Sequence, residues 1–391
     1  MDSFTYYTPT RVYFGVDAER HIGEAIRGYG FKKVLLHYGG GSIVRNGLYD
    51  RVVAQLDLAG IDFVELGGVE PNPKLSLVRE GVELCRREGV DFILGVGGGS
   101  VSDSSKGIAL ALAAGKSTWD AMMASTEPAT KFPMGLVLTI SAAGSEMSNS
   151  CVITNDNLGL KRGCNYDQNR PLVAFMNPAN TLTVPKYQTA AGAVDIMMHT
   201  MERYLTNDPD TPLTDGIAEA VLRRVIDCAD ILMSAPENLD ARSDMMWASS
   251  LAHNGLTGCG RNMTFTAHKI EHDISGVHDN VTHGAGLAVV FPAWCLHEYK
   301  AGIDRFYNWA VKVWGAAPSD DKEKSILEGI DIMKKRYRSW GMPTTIGELG
   351  VTPKEYEKIA SLTTNGDKNK LASFAGPMGV KEIMEVYKLA E

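Results

Sequence analysis

The spacing of apolar residues changes near residue 180. Before it, short β-branched runs alternate with stretches of helical period: KKVLLHY, NGLYDRVVAQLDLAG, DFVEL, KLSLVREGVELCRREG, DFILGVGGG and DSSKGIALALAA. The strand-like runs are mostly apolar throughout, the pattern of strands covered on both faces. Strand and helix in turn therefore predict a parallel sheet with helices on either side. After residue 180 the glycines thin out and long amphipathic segments dominate, among them PLTDGIAEAVLRRVIDCADILM and SDMMWASSLAHNGLTG. The second half is expected to be all-helical. The joint falls in the proline-punctuated NPANTLTVP, residues 177 to 185, which gives an α/β domain at residues 1–182 and a helical domain at 183–391. There is no internal repeat or low-complexity tract.

Length and charge narrow the classes of function. A chain of 391 residues exceeds what one core usually serves and has ample volume for a buried site. A net charge of −8 and a pI of about 5.7 exclude nucleic acid and anionic membranes as natural partners, so a small molecule is the expected ligand. The six cysteines are scattered without a CxxC pairing, which reads as reduced thiols. The start MDSFTYYTPTRVYFG has no basic, apolar leader pattern, and no apolar run reaches bilayer length. A cytoplasmic location is expected.

Two glycine-rich turns carry the first candidate chemistry. Gly39, Gly40, Gly41 and Ser42 follow the strand ending at Tyr38, and Gly97, Gly98, Gly99 and Ser100 follow the strand through Leu94. Glycine after a parallel strand lets the backbone approach a ligand, and the N–H groups of the next helix can hold a phosphate. Neither turn has GxGxxG spacing, so a nucleotide crevice rests on their position and not on a motif. Asp103 is expected in the first turn of the following helix. There it either borders the nucleotide pocket or simply stabilises the helix N-terminus. In GLVLTISAAGSEMSNS, Thr139, Ser141, Ser145 and Ser148 form another polar turn after an apolar strand.

The second candidate chemistry is a histidine cluster. Four of the nine histidines lie in HKIEHDISGVHDNVTHG: His268, His272, His278 and His283. His268 and His272 are four apart, as are Asp195 and His199 in AGAVDIMMHTMERYL. On a helix each such pair shares a face, one turn apart. Each pair alone is also an ordinary hydrogen-bonding arrangement; two pairs and a further histidine after a glycine-containing turn point to a divalent metal. Imidazole and carboxylate without thiolate suit iron or zinc.

Taken in order, GGGSVSDSSK, the TxxxxGSE turn from Thr139 to Glu146, DxxxH at Asp195 and HxxxH with a following HG at His283 resemble the iron-containing alcohol dehydrogenase family. The resemblance runs from TPTRVYFG through GLAVVFPAW, most of the chain. YGGGSIVRNGLYD and GGVEPNP place it nearest the branch of butanol dehydrogenases and NADPH-dependent aldehyde reductases. It implies a Rossmann-like dinucleotide-binding domain followed by an all-α metal-binding domain, the dehydroquinate synthase-like fold, with a cleft between them. Metal ligands are implied at Asp195, His199, His268 and His283, and a proton relay at His272. Cofactor contacts are implied at Gly97, Gly98, Gly99, Ser100 and Asp103, and also at Asn72, Thr139, Ser141 and Lys161.

Two departures from the family pattern stand out. The interval from His268 to His283 is one residue longer than usual, which keeps His278 as a rival fourth ligand. SAAGSE also replaces the more common Thr-Gly-Ser-Glu arrangement.

The reaction implied is hydride transfer between a nicotinamide cofactor and a primary alcohol or aldehyde. Iron is favoured over zinc, and a homodimer is expected. NAD-preferring relatives tend to carry a carboxylate at the position of Gly39, where it would repel a 2′-phosphate. The absence of one from Gly39 to Ser42, with Arg45 nearby, favours NADP(H). Two alternatives remain at this level: a metal- and NAD-dependent lyase of the same fold, and a protein whose metal is a structural clamp.

Overall fold

A computed structural model describes residues 1–208 and 211–391. By compactness the chain divides into two units, Tyr7–Val184 and Pro185–Glu391, the latter joined by Met1–Tyr6. The first residues belong with the second unit because Asp2 N–H donates to Gly260 O (3.2 Å) and Asn262 Nδ2 donates to the Asp2 carboxylate (3.2 Å).

The first unit contains β1 (Arg11–Phe14), α1 (Ile22–Gly28), β2 (Lys33–Gly39), α2 (Ser42–Arg45), α3 (Leu48–Ala59), β3 (Asp62–Val69) and α4 (Leu75–Glu88). It continues through β4 (Phe92–Gly97), α5 (Gly99–Ala114), α6 (Thr118–Met122), β5 (Met134–Leu138), β6 (Ser150–Asn155), β7 (Leu160–Asn165) and β8 (Val173–Met176). Six strands pair in parallel in the order β1-β8-β5-β4-β2-β3. Successive side chains of a strand enter opposite layers. Leu35 and Ile93 pack into one core with Val78 and Ile108, while Val34, Leu36, Phe92 and Leu94 pack into the other with Ile26 and Val52. Burial on both faces explains why the central strands read as continuous apolar runs. An antiparallel ribbon of β6 and β7 stands outside the sheet and was not foreseen in the sequence.

Strand order creates a special point. From β2 the chain moves outward to its neighbour β3, whereas from β4 it moves the other way to β5. At such a reversal the loops at the carboxyl ends of two adjacent strands diverge and leave a crevice. Those two strands, β2 and β4, lie in direct register (Tyr38 beside Val96). Their ends carry the two glycine turns.

The second unit is helical: α7 (Lys186–Tyr204), α8 (Pro212–Ser234), α9 (Leu239–His253), α10 (Thr266–Val277), α11 (His283–Glu298), α12 (Ile303–Trp314), α13 (Lys322–Ser339), α14 (Tyr356–Thr364) and α15 (Val380–Leu389). One continuous core runs through it, with Trp294, Trp309, Phe306 and Tyr337 among its largest members. No helix of the described residues is long and apolar enough to cross a membrane.

Candidate metal centre and nucleotide turns

α7 carries Asp195, His199 and Glu202 at intervals of four and three, so all three leave one helix face. α10 brings His268, Glu271 and His272. His283 is the first residue of α11. The donors converge on Asp195 Oδ1: His199 Nδ1 lies 3.6 Å from it, and His268 Nε2 and His283 Nε2 each lie 3.7 Å from it. These are too long for hydrogen bonds. They are near the edge length of a tetrahedron around one ion, about 3.4 Å for bonds of about 2.1 Å; Asp195, His199 and His268 offer ligand atoms all within 4.8 Å of one another, and His283 groups at that spacing with Glu271 and His272. Asp195 Oδ1, His199 Nδ1 and His268 Nε2 are buried and have no hydrogen-bond partner among the described residues. Buried polar atoms left unpaired cost stability unless something else satisfies them. A divalent cation would do so here, and the donor set fits one.

Carboxylates behind the ring fix its orientation. Glu202 accepts from His268 Nδ1 and also from the N–H groups of Ala267 (2.7 Å) and His268 (3.2 Å), capping the start of α10. Glu271 accepts from His283 Nδ1. Holding the proton on Nδ1 turns the Nε2 lone pair inward, the usual outer support of metal-binding histidines. Burial holds His199 well below the ordinary imidazole value, reinforced by His253, His268 and Arg203. Burial alone would lower His268 too, but the charges of Glu202 and Asp195 outweigh it and raise the group to about 9.

Two glycines make this convergence possible. A Cβ on Gly284 would run into the carbonyl oxygen of Ala191 on α7, and one on Gly286 would come within 2.7 Å of Glu271. The HGAG start of α11 therefore packs against α7 and α10 closely enough to deliver His283. His272 stands beside the cluster, its ring centre 5.3 Å from that of His283. His278 pairs with Glu355 instead (3.1 Å) and brings no donor to the group.

Glu202, Glu271 and His253 were not singled out in the sequence. The ring of His253 lies 3.9 Å from that of His199, and Phe265 approaches His268 at 5.2 Å from a left-handed backbone (φ 52°). Glu202 shares the helical period of Asp195 and His199, a usable signal. His253 has none.

In the first unit, α5 begins at Gly99 directly after β4, so its free first-turn N–H groups lie at the Gly97–Ser100 turn. Asp103 is in the second turn of α5, not the first as expected. Its carboxylate accepts from Ser145 Oγ (2.9 Å) and Val152 N–H (3.2 Å) and does not cap the helix. Thr139 N–H donates to Gly97 O (3.0 Å), which lays the turn containing Thr139 and Ser141 against the glycines. Asn72, left-handed at φ 55°, accepts from Lys161 Nζ at 3.0 Å, so two candidates 89 residues apart meet. In the other turn Gly41 has φ 90°, open to glycine at little cost. Arg45 Nη1 lies 3.7 Å from where a Cβ on Gly41 would stand.

A parallel sheet with glycine turns at its reversal and a His/Asp cluster on a helical unit fit the class of metal-containing nicotinamide oxidoreductases. The family model for iron-containing alcohol dehydrogenase matches residues 9–178, and that for the C-terminal part of the Fe-containing alcohol dehydrogenase family matches residues 189–390; the chain belongs to this family. It is 39% identical over 391 residues to NADH-dependent butanol dehydrogenase A of Clostridium acetobutylicum, with 99% of each chain covered. It is 34% identical over 354 residues to the NADPH-dependent aldehyde reductase YqhD of Escherichia coli, with 90% of each covered. The solved structure of NADH-dependent butanol dehydrogenase A from Thermotoga maritima has a TM-score of 0.96 at 36% identity, covering 100% of this chain and 99% of that one. The expected fold class, a parallel α/β unit followed by helices as in dehydroquinate synthase-like proteins, is borne out.

Proposed function

We propose that this protein is an NADP(H)-linked, metal-dependent oxidoreductase that interconverts primary alcohols and aldehydes, acting as an aldehyde reductase or butanol dehydrogenase. The observation that carries the proposal is the convergence of donors on Asp195 Oδ1. Asp195, His199, His268 and His283 would hold the ion, Fe²⁺ in preference to Zn²⁺. When bound, the ion supplies Lewis acidity toward a substrate oxygen and the nicotinamide supplies or accepts hydride. Glu202 and Glu271 keep the Nε2 atoms of His268 and His283 aimed inward. His272, half-buried beside His283, carries the proton between the substrate hydroxyl oxygen and solvent.

The proposed cofactor residues are Gly39, Gly40, Gly41, Ser42, Asn72, Gly97, Gly98, Gly99, Ser100, Asp103, Thr139, Ser141 and Lys161. Two of the relatives named above use NADH and one NADPH in their names, so the choice is argued from this chain's own turn. It has no carboxylate to repel a 2′-phosphate and has a guanidinium beside Gly41. Nucleotide binding is assigned to residues 1–182 and the metal to 183–391. A homodimer is proposed from the family and from β1, a sheet-edge strand with Phe14 exposed. The cytoplasm is proposed as its location, in keeping with six free thiols.

The test is oxidation of NADPH and NADH over a panel of aldehydes by protein stripped of metal and reloaded with Fe²⁺ or Zn²⁺. Turnover restored by the ion, and higher kcat/KM with NADPH, is expected. Turnover indifferent to stripping sinks the metal role, and a preference for NADH sinks the cofactor choice. Ser100→Asp places a carboxylate where the phosphate would lie while suiting a helix start. It should weaken cofactor binding without loss of fold.

A further inference from the structure

We propose that Lys106 is a positioning residue for cofactor binding, its buried ammonium clamping the turn between β5 and β6 in the shape that packs onto the Gly97–Ser100 turn. This rests on the reading of that turn as the cofactor's phosphate site.

Lys106 is 0% exposed and among the largest fully buried side chains of the protein. It projects from α5 into the turn of residues 139 to 149. Its Nζ donates to Ser150 O (2.7 Å), Ser145 Oγ (2.8 Å), Ser148 O (3.0 Å) and Ser148 Oγ (3.2 Å). Ser145 Oγ passes a bond onward to Asp103 Oδ1, and Asp103 Oδ2 accepts from Val152 N–H. Two charged side chains one turn apart on α5 thus hold the C-terminal part of the turn, from Ser145 to Val152. The far side of the turn is packed against the glycines: Ile140 fills the space that a Cβ on Gly98 would need, and Ala143 Cβ lies 3.3 Å from where one on Gly99 would stand.

Burying an ammonium is costly unless its protons are all matched. An unbranched apolar side chain such as methionine would fill much the same space without that cost. What methionine lacks is a donor for the Ser148 and Ser150 carbonyls, whose direction sets the path of the turn. Burial pushes Lys106 below the ordinary lysine value while the Asp103 carboxylate opposes the drop. The same helix therefore presents its N-terminal N–H groups at one end and, from its second and third turns, fixes the loop that roofs them. Displacing the clamp moves Ile140 and Ala143 relative to the phosphate-binding backbone, far from the proposed metal donors in sequence and chemistry.

The test compares Lys106→Met and Ser145→Ala in metal-loaded protein, by NADPH fluorescence titration and steady-state kinetics. Lys106→Met should raise both Kd and KM for NADPH roughly 10- to 100-fold, the range for losing hydrogen bonds to a charged group. Its kcat at saturating NADPH should stay within about threefold and its metal content should be unchanged, a split that general loss of fold does not produce. Ser145→Ala removes only the bridging hydroxyl and should shift Kd in the same direction by a smaller factor. It carries the test if Lys106→Met does not fold. NADPH affinity within twofold of wild type in the folded variants overturns the proposal, as does a fall in kcat with KM unmoved. Ser100→Asp runs alongside: unchanged affinity there removes the cofactor reading itself, whereas loss there with no effect of Lys106→Met or Ser145→Ala removes only the clamp.

Discussion

The helical unit and the α/β unit each bury a cluster of polar side chains, and they treat hydrogen bonding in opposite ways. Around Asp195, imidazole nitrogens from three helices stand 3.6 to 3.7 Å from its Oδ1, and Asp195 Oδ1, His199 Nδ1 and His268 Nε2 are buried without a hydrogen-bond partner among the described residues. Around Lys106, four oxygens and an adjacent carboxylate satisfy the ammonium. A cluster of ligand-type side chains left short of partners suits an ion; a cluster complete in itself suits a fastening for backbone. Burial alone does not distinguish the two. The count of partners does.

The largest expected effect comes from breaking the unmatched cluster. His268→Ala, or removal of metal by a chelator, should cut turnover by at least about 10³-fold, in line with the loss of several kcal/mol of charge stabilisation. NADPH affinity should stay within about threefold. Affinity that vanishes with the metal would show that the two clusters are not independent. Gly284→Ala should destabilise the protein by about 3 kcal/mol, since the new methyl meets the Ala191 carbonyl and cannot be absorbed by a flexible side chain. Thermal unfolding and metal content should fall together, and a variant with unchanged melting and full metal would refute the packing role.

Acid probes the satisfied side. His37, bonded to Leu66 O (2.7 Å) and to Ser104 Oγ on α5 (2.8 Å), is driven by burial down to about 4. It stays neutral in the folded state, while the unfolded chain takes up a proton below about 6.5. Its contribution is therefore fully present above that value and is lost as pH falls toward about 4, amounting to at most about 3 kcal/mol. Urea unfolding of metal-free protein between pH 7 and 4.5 should show a steeper loss for wild type than for His37→Gln; parallel slopes would count against it.

Glu202→Gln tests the support behind the metal. It should weaken the ion about 10- to 100-fold in a chelator competition, leaving NADPH binding alone. Undiminished metal affinity would reduce Glu202 to a helix cap. The smallest effect belongs to His278→Ala: its partly exposed pair with Glu355 is worth about 0.5 kcal/mol, and metal content should not change. A fall in metal content would restore His278 as a ligand.

Much of the candidate metal centre was legible because helical period is local. Asp195 with His199, and His268 with His272, announce themselves by a spacing of four, and no partner need be known to see that each pair shares a face. His283 was harder, because its place depends on where α11 begins and on Gly284 and Gly286 admitting it. Glu202 and Glu271 were missed, since a carboxylate on a helix is too common to attract notice until an imidazole is found against it. In the α/β unit, parallel strands were readable from their unbroken apolar runs. Asp103 was placed one turn too early, because Gly99 opens the helix sooner than the serines imply. Lys106 stood unremarked ahead of an apolar stretch.

What the sequence determined by itself is the local periodic part: an α/β half, a helical half, glycine turns after strands and two helical pairs of ligand-type side chains. Each follows from propensity and spacing within one or two turns of chain. Only the tertiary structure decided that the β2 and β4 turns lie side by side, that three helices aim their donors at a single oxygen, and that Lys106 meets the carbonyls of a distant turn. Those facts depend on strand order and on helix contacts admitted by single glycines. They arise when the whole core is packed, and no short stretch of sequence encodes them.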